Sequence, residues 1–511
     1  MLIFAIFITL LTLGSGYKVL VVFPIPGPSH LILGEGYVRH LLKAGHEVTY
    51  VTPVPLKNPH ANLRQIDTSE CKKYFVAELF NITAIMYKEI DLQDQILLQS
   101  VMDDFWKKTI ATEAMQKFLN DTHENFDVAI VEWLYSEFGA GLASVFNCPL
   151  VWSSSMETHT FVLSLMHEHM NPSYTVHHMS RDYSFSFWSR IYQLWSVSKI
   201  ILYNWVNTEK FNEEFKNMYE PFVLKRGREL PHFNDVRYNG SLMLGNSDIT
   251  VGDSVALPQN YKHIGGYHFK DTVEPLTKDL QEIMDNSPHG VIYFSMGSNL
   301  KSTLIPEFIK KGFLEVFSGL KQKVVWKLEK TIPNLPKNVY ITSWAPQQSI
   351  LAHRNCKLFI THGGLLSILE TVNAGIPVIG MPMFADQYLN INRVAHKGFG
   401  KRVDFDENVA KTLKSAINDI LEDSSYRQRA KEVSMIFHDR LTTPGQELVH
   451  WVQHVAKTRG APHLQSSALQ VSWYKKIYLD LVGAIIMTFA VFIAVLKYFR
   501  NAHVQIKYKK N

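Results

Sequence analysis

Residues 344–387, WAPQQSILAHRNCKLFITHGGLLSILETVNAGIPVIGMPMFADQ, decide the fold. Leu358, Phe359 and Ile360 read as a short buried strand that stops at Thr361-His362-Gly363-Gly364. A helical pattern of Leu365, Leu366, Ile368, Leu369 and Val372 then runs to Gly375, where a helix C-terminus favours glycine. A second apolar strand spans 376–379, and Gly380-Met381-Pro382 ends it. Strand, glycine turn, helix and strand in this order form the unit of a doubly wound nucleotide-binding sheet.

These elements present a consistent chemistry. Gly363 and Gly364 let the backbone approach a ligand, and the first turn of the following helix offers unpaired N–H groups suited to a diphosphate. Glu370, about two turns on, can accept ribose hydroxyls. Asp386 and Gln387 suit a polyhydroxylated sugar. Trp344 offers a flat face to a base, and Gln347 can pair with the base edge.

Each feature alone has a plainer explanation: a core tryptophan, an ordinary turn, a solvated helix carboxylate. Together, at this spacing, they resemble the nucleotide-sugar motif of the UDP-glycosyltransferase superfamily, W-x-P-Q, H-G-G, E, G-x-P, D-Q. That superfamily holds UDP-glucuronosyltransferases and the insect and plant UDP-glucosyltransferases. One departure is Leu366, where many members carry Asn.

A chain of 511 residues exceeds one ordinary core, so two domains are expected. The formal charge of +5 is modest and partly sits in the last residues, so no nucleic-acid footprint is indicated. Cys71, Cys148 and Cys356 show neither zinc spacing nor a disulfide framework. Residues 1–16 read as a signal peptide, an apolar run too short to span and followed by small residues. Residues 477–496 read as one transmembrane helix, and 497–511 as a basic cytosolic tail. The final lysines resemble a dilysine retrieval signal. The expected location is the endoplasmic reticulum membrane, single-pass type I, with lumenal catalytic domains. Sequons at Asn81, Asn120 and Asn239 would then be lumenal glycosylation sites.

The N-terminal half opens, at residues 17–53, with YKVLVVFPIPGPSHLILGEGYVRHLLKAGHEVTYVTP, a strand, a Pro/Gly turn, a helix and a strand without G-x-G-x-x-G. His30 stands at the turn, where ligands gather in such sheets. Family members carry their catalytic histidine in a P-x-x-S-H setting, matched here by Pro26, Ser29 and His30, so the resemblance makes His30 the general base. Its implied carboxylate partner is Glu132, where the vertebrate pattern has Asp, with Asp127 as the fallback. The aromatic-rich stretches 60–120 and 156–219 suit an apolar acceptor pocket.

The interdomain connection is expected over 245–284, between an acceptor-binding domain, 17–244, and a UDP-sugar-binding domain, 285–457, with 458–476 as linker. The resemblance further implies that Ser298 meets the diphosphate and that Lys327 lies near the nucleotide. Asp404 and Asp406 mimic a D-x-D metal motif but stand directly before a helix, so they read as capping residues and no metal is expected. The implied fold is α/β, two facing Rossmann-like domains in the glycosyltransferase B arrangement. The implied activity is inverting, metal-independent transfer of a hexose from a UDP-sugar, with no separate cofactor, to a small lipophilic acceptor. Glucose is favoured because glucuronide-forming members carry an arginine before the hinge Gly-Gly, and no Arg occurs here between Arg237 and Arg354. The alternatives are a UDP-glucuronosyltransferase and a catalytically impaired nucleotide-sugar binder. A homo-oligomer is left open.

Overall fold

The computed structural model describes residues 16–58, 60–75, 86–87, 92–297 and 305–510, with side chains in its last helix to residue 503. The signal peptide up to residue 15, the Asn81 sequon and Ser298 lie outside the described residues. The chain forms two compact units, Met1–Leu464 and Gln465–Asn511.

The first unit holds two parallel sheets. The first sheet comprises β1 (Lys18–Val22), β2 (Glu47–Thr52), β3 (Leu63–Asp67), β4 (Val128–Trp133), β5 (Leu150–Ser154), β6 (Leu242–Gly245) and β7 (Tyr261–His263), in the order 3-2-1-4-5-6-7. The second comprises β8 (Val291–Ser295), β9 (Lys323–Lys327), β10 (Val339–Thr342), β11 (Cys356–Thr361), β12 (Val378–Gly380) and β13 (Gly400–Arg402), in the order 10-9-8-11-12-13. Both orders reverse direction beside the first strand, so each sheet has a switch point where ligands bind, between β1 and β4 and between β8 and β11. Strand β7 falls inside the stretch expected as connection. Its sequence, Tyr-Lys-His, is too short and polar to stand out as a strand.

The helices that matter for the site are α1 (Pro28–Lys43), α2 (Gln95–Ile110), α3 (Phe187–Val206), α4 (Leu365–Ala374), α5 (Gln387–His396) and α6 (Pro444–Lys457). The strands are apolar on both faces because each sheet is covered on both sides. Val19 and Val21 of β1 pack with Leu33 and Tyr37 of α1, whereas Leu20 and Val22 join the cluster of Phe105 and Trp106 of α2. In β11, Leu358 and Ile360 face one cluster and Phe359 the other. Helix α6 lies far along the chain, yet its Leu448, Val452 and Val455 complete the cluster under α1. It starts with a capping box between Thr443 and Gln446.

A polar tie joins the elements around the two sheets. Arg393 of α5, nearly fully buried, donates from Nε and Nη2 to Asp253 Oδ2 at 3.0 and 2.7 Å. Tyr183 donates to Asp253 Oδ1 at 2.8 Å, and Arg402 and Asn392 both donate to the Arg181 carbonyl. Burial pushes the Asp253 carboxyl up, but Arg393 and the Tyr183 hydroxyl outweigh it and hold the carboxyl below its usual range. The stability it contributes is present above the unfolded carboxylate pKa and is lost as pH falls through the lower folded value. Asp253→Ala strands a buried guanidinium, so it is expected to cost about 3 kcal/mol and lower Tm by about 3–5 °C in a thermal melt at pH 7.

The second unit carries α7 (Leu479–Lys510). Its segment Leu479–His503 contains an 18-residue window of mean hydropathy 2.5 and is long and apolar enough to cross a membrane. The helix starts later than residue 477 because Tyr478 sits at φ +56, which breaks helical geometry.

Candidate active site

The switch points of both sheets open into one cavity of about 620 Å³. Its first-sheet wall carries His30. Pro28 at the first helical position fixes the start of α1, which places His30 in the first turn. Its Nδ1 hydrogen-bonds to Oε1 of Glu132, which sits near the end of β4 with the adjacent switch-point strand β1 beside it. This bond directs Nε2 of His30, a cavity-lining residue, away from the carboxylate and assigns the tautomer. Burial lowers the His30 pKa, but attraction and hydrogen bonding from Glu132, aided by Asp386, outweigh it and raise the value above that of an ordinary histidine. The second oxygen of Glu132 has no hydrogen-bond partner among the described residues. Asp127 instead accepts the Lys18 backbone N–H at 2.8 Å at the start of the sheet. An apolar wall from Ile25, Leu98, Met102, Phe105, Leu134 and Met156 surrounds the histidine side.

The second-sheet wall carries the tip of α4. Gly364 is its N-cap, and no side chain caps it, so its first amides stand open toward the cavity. Gly363 is held at φ +86, and a Cβ there would meet Ile391 at 2.4 Å. The His362 ring is wedged between two glycines: a Cβ on Gly297 would come within 2.5 Å of it and one on Gly364 within 2.6 Å. Burial, with Lys327 second, pushes the His362 pKa down to about 4, so the ring is neutral at pH 7. Lys327 is buried, and its Nζ donates to the Gly297 carbonyl at 2.8 Å. The same Nζ lies 5.9 Å from the ring centre of Trp344, which is 64% exposed and lines the cavity.

Two expected ligand contacts are already engaged within the protein. Gln347 turns its amide toward Glu370, donating to Oε2 at 2.6 Å, and Gln348 donates to Oε1 at 3.0 Å. Glu370 is thereby oriented, with each oxygen retaining a lone pair for a hydroxyl. The Gln387 carbonyl oxygen accepts the Met383 and Phe384 amides at 2.9 and 3.3 Å, leaving only its NH₂ for a ligand. Asp386 is half-buried beside Asn390, whose Nδ2 donates to it at 2.9 Å and to the Gly363 carbonyl at 3.1 Å. Asn390 therefore ties the glycine turn to the sugar-side carboxylate, a role that no motif in the sequence signalled.

The sequence reading also missed His268. It is buried, lines the cavity, lies 3.6 Å from Glu370 and has no hydrogen-bond partner on either ring nitrogen among the described residues. It follows Ile264-Gly265-Gly266 in an irregular segment, where periodicity carries no information. Leu366, the departure from the common pattern, packs against the cluster under α1. Asp404 pairs with Arg402 at 2.7 Å and Asp406 accepts the Asn408 amide at 2.8 Å, so both are committed to the turn before the helix Val409–Glu422.

The family model described as "UDP-glucoronosyl and UDP-glucosyl transferase" matches residues 18–510. UDP-glucosyltransferase 2 of Dactylopius coccus is 31% identical over 98% of this chain and 96% of its own length. UDP-glucuronosyltransferase 2B13 of Oryctolagus cuniculus is 28% identical over 94% of this chain and 91% of its own. Among solved structures, the calicheamicin glycosyltransferase CalG4 superposes with a TM-score of 0.55 at 18% identity, covering 88% of this chain and 100% of that one.

Proposed function

The chain belongs to the UDP-glucuronosyl and UDP-glucosyl transferase family, and from that premise we propose that it moves glucose from UDP-glucose to a hydroxyl of a small lipophilic acceptor. The observation that carries this reading is one cavity with a carboxylate-held imidazole on one wall and an uncapped glycine helix tip on the other. Asp386 on the donor side contributes to the field on His30, so the two walls act on one reacting centre. Nε2 of His30 takes the acceptor proton, and the acceptor oxygen attacks the anomeric carbon. The bond from that carbon to the UDP oxygen breaks on the opposite face, its electron pair leaves with the diphosphate, and configuration inverts. The tip of α4, Lys327 and the N–H of His362 meet the departing charge, and in our reading no divalent ion is needed. Trp344 stacks the base, Glu370 takes the ribose, and Asp386 and Gln387 hold the sugar.

Glucose is preferred over glucuronate on charge. The cationic side chains among the described lining residues are Arg39, Lys270 and Lys327. Arg39 donates to the Tyr267 and Phe269 carbonyls, Lys270 pairs with Glu274 and Lys327 with the Gly297 carbonyl. A sugar carboxylate would find no free bidentate partner. Membranes carrying the full chain, given UDP-glucose, UDP-galactose or UDP-glucuronate with a panel of phenols, should form glucosides at least about tenfold faster than glucuronides, the discrimination expected when a buried carboxylate lacks a partner. Faster glucuronide formation overturns the donor assignment.

We further propose a type I anchor in the endoplasmic reticulum through α7, with the first unit lumenal. The exposed sequons Asn120 and Asn239 then become glycosylation sites, which a peptide N-glycosidase mobility shift would detect. The first sheet is assigned to the acceptor and the second to the UDP-sugar, with α6 packing back on the first.

A further inference from the structure

One oxygen of Glu132 bonds to His30, and the other is buried without a hydrogen-bond partner among the described residues. Two phenol hydroxyls share that condition. Tyr37 of α1 and Tyr267, in the segment after β7, are fully buried, and neither hydroxyl has a partner among the described residues. A buried O–H and a buried carboxylate oxygen are each costly when left alone, and each is what the other needs.

The pleat of the first sheet puts these groups on one face. Val128 and Ile130 of β4 pack in the cluster under α1, whereas Ala129 and Val131 pack in the opposite one, so Glu132 comes next on the α1 face. Its register partner on β5 is Ser153, two residues after Val151 of the same cluster. Tyr37, Tyr50 and Tyr267 belong to that cluster as well. Tyr37 follows His30 by about two helical turns, so both side chains leave the same face of α1 and lean toward its N-terminus. Tyr267 crosses Tyr37 edge-on, with ring centroids 4.9 Å apart. It is fastened to α1: its carbonyl accepts from Arg39 at 3.0 Å and bonds to Nε2 of His40 at 2.8 Å, and a Cβ on Gly36 would meet its ring at 2.9 Å. Burial above all pushes both phenols far above their ordinary range, with the Glu132 charge adding to it and Ser153 opposing, so both stay O–H donors. The other titratable groups facing this pocket are Tyr50 of β2, Tyr261 of β7, Glu35 of α1 and, near His30, Asp386. Thr52 meets the Tyr50 hydroxyl, and Thr158 and Ser247 meet that of Tyr261 at 2.9 and 2.8 Å. Tyr37 and Tyr267 are therefore the uncommitted donors beside Glu132.

We propose that Tyr37 and Tyr267 are positioning residues for the base: their hydroxyl dipoles turn to the second oxygen of Glu132, stabilise the carboxylate, and so set the pH above which His30 is free to take the acceptor proton. The proposal rests on the reading of His30 as general base given above. Its sign follows from the pair. Donors that hold the carboxylate weaken its grip on the imidazolium proton. Without them the buried anion is stabilised mainly by the imidazolium itself, and His30 keeps its proton to higher pH. This is the reverse of what removing the carboxylate charge does.

The test follows kcat against pH in membranes carrying the full chain, with UDP-glucose and a simple phenol that stays un-ionised below about pH 9. Tyr37→Phe and Tyr267→Phe keep the rings and remove only the hydroxyls. Each should move the inflection to higher pH by about half a unit, and the double variant by about one, with KM for UDP-glucose within about twofold. Tyr219→Phe is the control, because it removes an equally buried hydroxyl without a partner among the described residues from the opposite face of the sheet; it should leave the inflection in place. A purely structural role would lower activity or Tm without moving the inflection. An inflection that stays or falls in both single variants overturns the proposal, as does an equal rise in Tyr219→Phe. Glu132→Gln reads the base assignment separately: if it fails to lower the inflection, that assignment falls and takes the proposal with it, whereas a lowered inflection beside unmoved phenylalanine variants sinks the proposal alone.

Discussion

His30→Ala is expected to lose about a thousandfold in kcat while KM for the UDP-sugar stays within about twofold, as removal of a general base that does not touch the donor requires. Its nitrogen faces the acceptor side of the cavity, and Glu132 holds the opposite nitrogen. The pH profile makes the test sharper. The base works unprotonated, and Glu132 lifts the His30 pKa above the ordinary 6.5 against the opposing pull of burial. Activity should therefore climb with pH only as that raised value is passed. Glu132→Gln removes the attraction but leaves the burial, so the inflection should move to lower pH while kcat falls about a hundredfold. The same linkage affects folding: the stabilisation from protonated His30 is fully present below about pH 6.5 and is lost as pH rises through the folded-state pKa. An inflection that Glu132→Gln leaves in place would show that the pair does not set the base.

Gly364→Ala carries the second large effect, and it should separate binding from stability. The residue has φ −60, which alanine adopts freely, so the backbone is not strained. The new methyl instead meets Nε2 of His362 at 2.6 Å and must push the ring toward the space above the helix tip. The neighbouring clash is with the end of a side chain that can swing, so the loss of stability should stay within about 1 kcal/mol. The diphosphate would lose both its approach to the open amides and its imidazole contact, so affinity for UDP should drop about a hundredfold, two charge-assisted hydrogen bonds' worth. Titration calorimetry with UDP beside a thermal melt reads both quantities. Gly363→Ala is the contrasting control, because φ +86 and the 2.4 Å approach to Ile391 place its cost in the fold itself.

The parts of the fold that could be read from the sequence were those with long, uniform patterns. The apolar runs of β1 and β11, each followed by glycines or proline and an amphipathic helix, carry period and punctuation together. They announced parallel strands covered on both faces. The site was legible where chemistry sits in a fixed frame around a glycine turn, as at His362 to Glu370, and His30 could be singled out only by its resemblance to a family pattern. Other contributions were hidden because they depend on packing between distant segments. Gln347 looked free to meet a base, but Glu370 lies close enough in space to claim its amide. Gly297 matters because His362 fills the space its Cβ would need, a contact between the ends of two separate strands. Lys327 is drawn inward by the Gly297 carbonyl. The aromatic-rich stretch 156–219 suited an acceptor pocket, and only the fold shows that most of its part at 187–206 faces outward. Residue type told what these side chains can do; the two sheets' geometry decided what they meet.

The central claim is that a uridine diphosphate held at the tip of α4 lies across one cavity from the imidazole of His30. Its most direct test is an experimentally determined structure of the full chain with UDP and a phenolic acceptor. The account predicts the diphosphate oxygens on the amides at Gly364 and Leu365 with Trp344 against the base, and the acceptor hydroxyl within hydrogen-bond distance of Nε2 of His30. A diphosphate bound elsewhere, or an acceptor hydroxyl turned away from His30 toward another base, would contradict it.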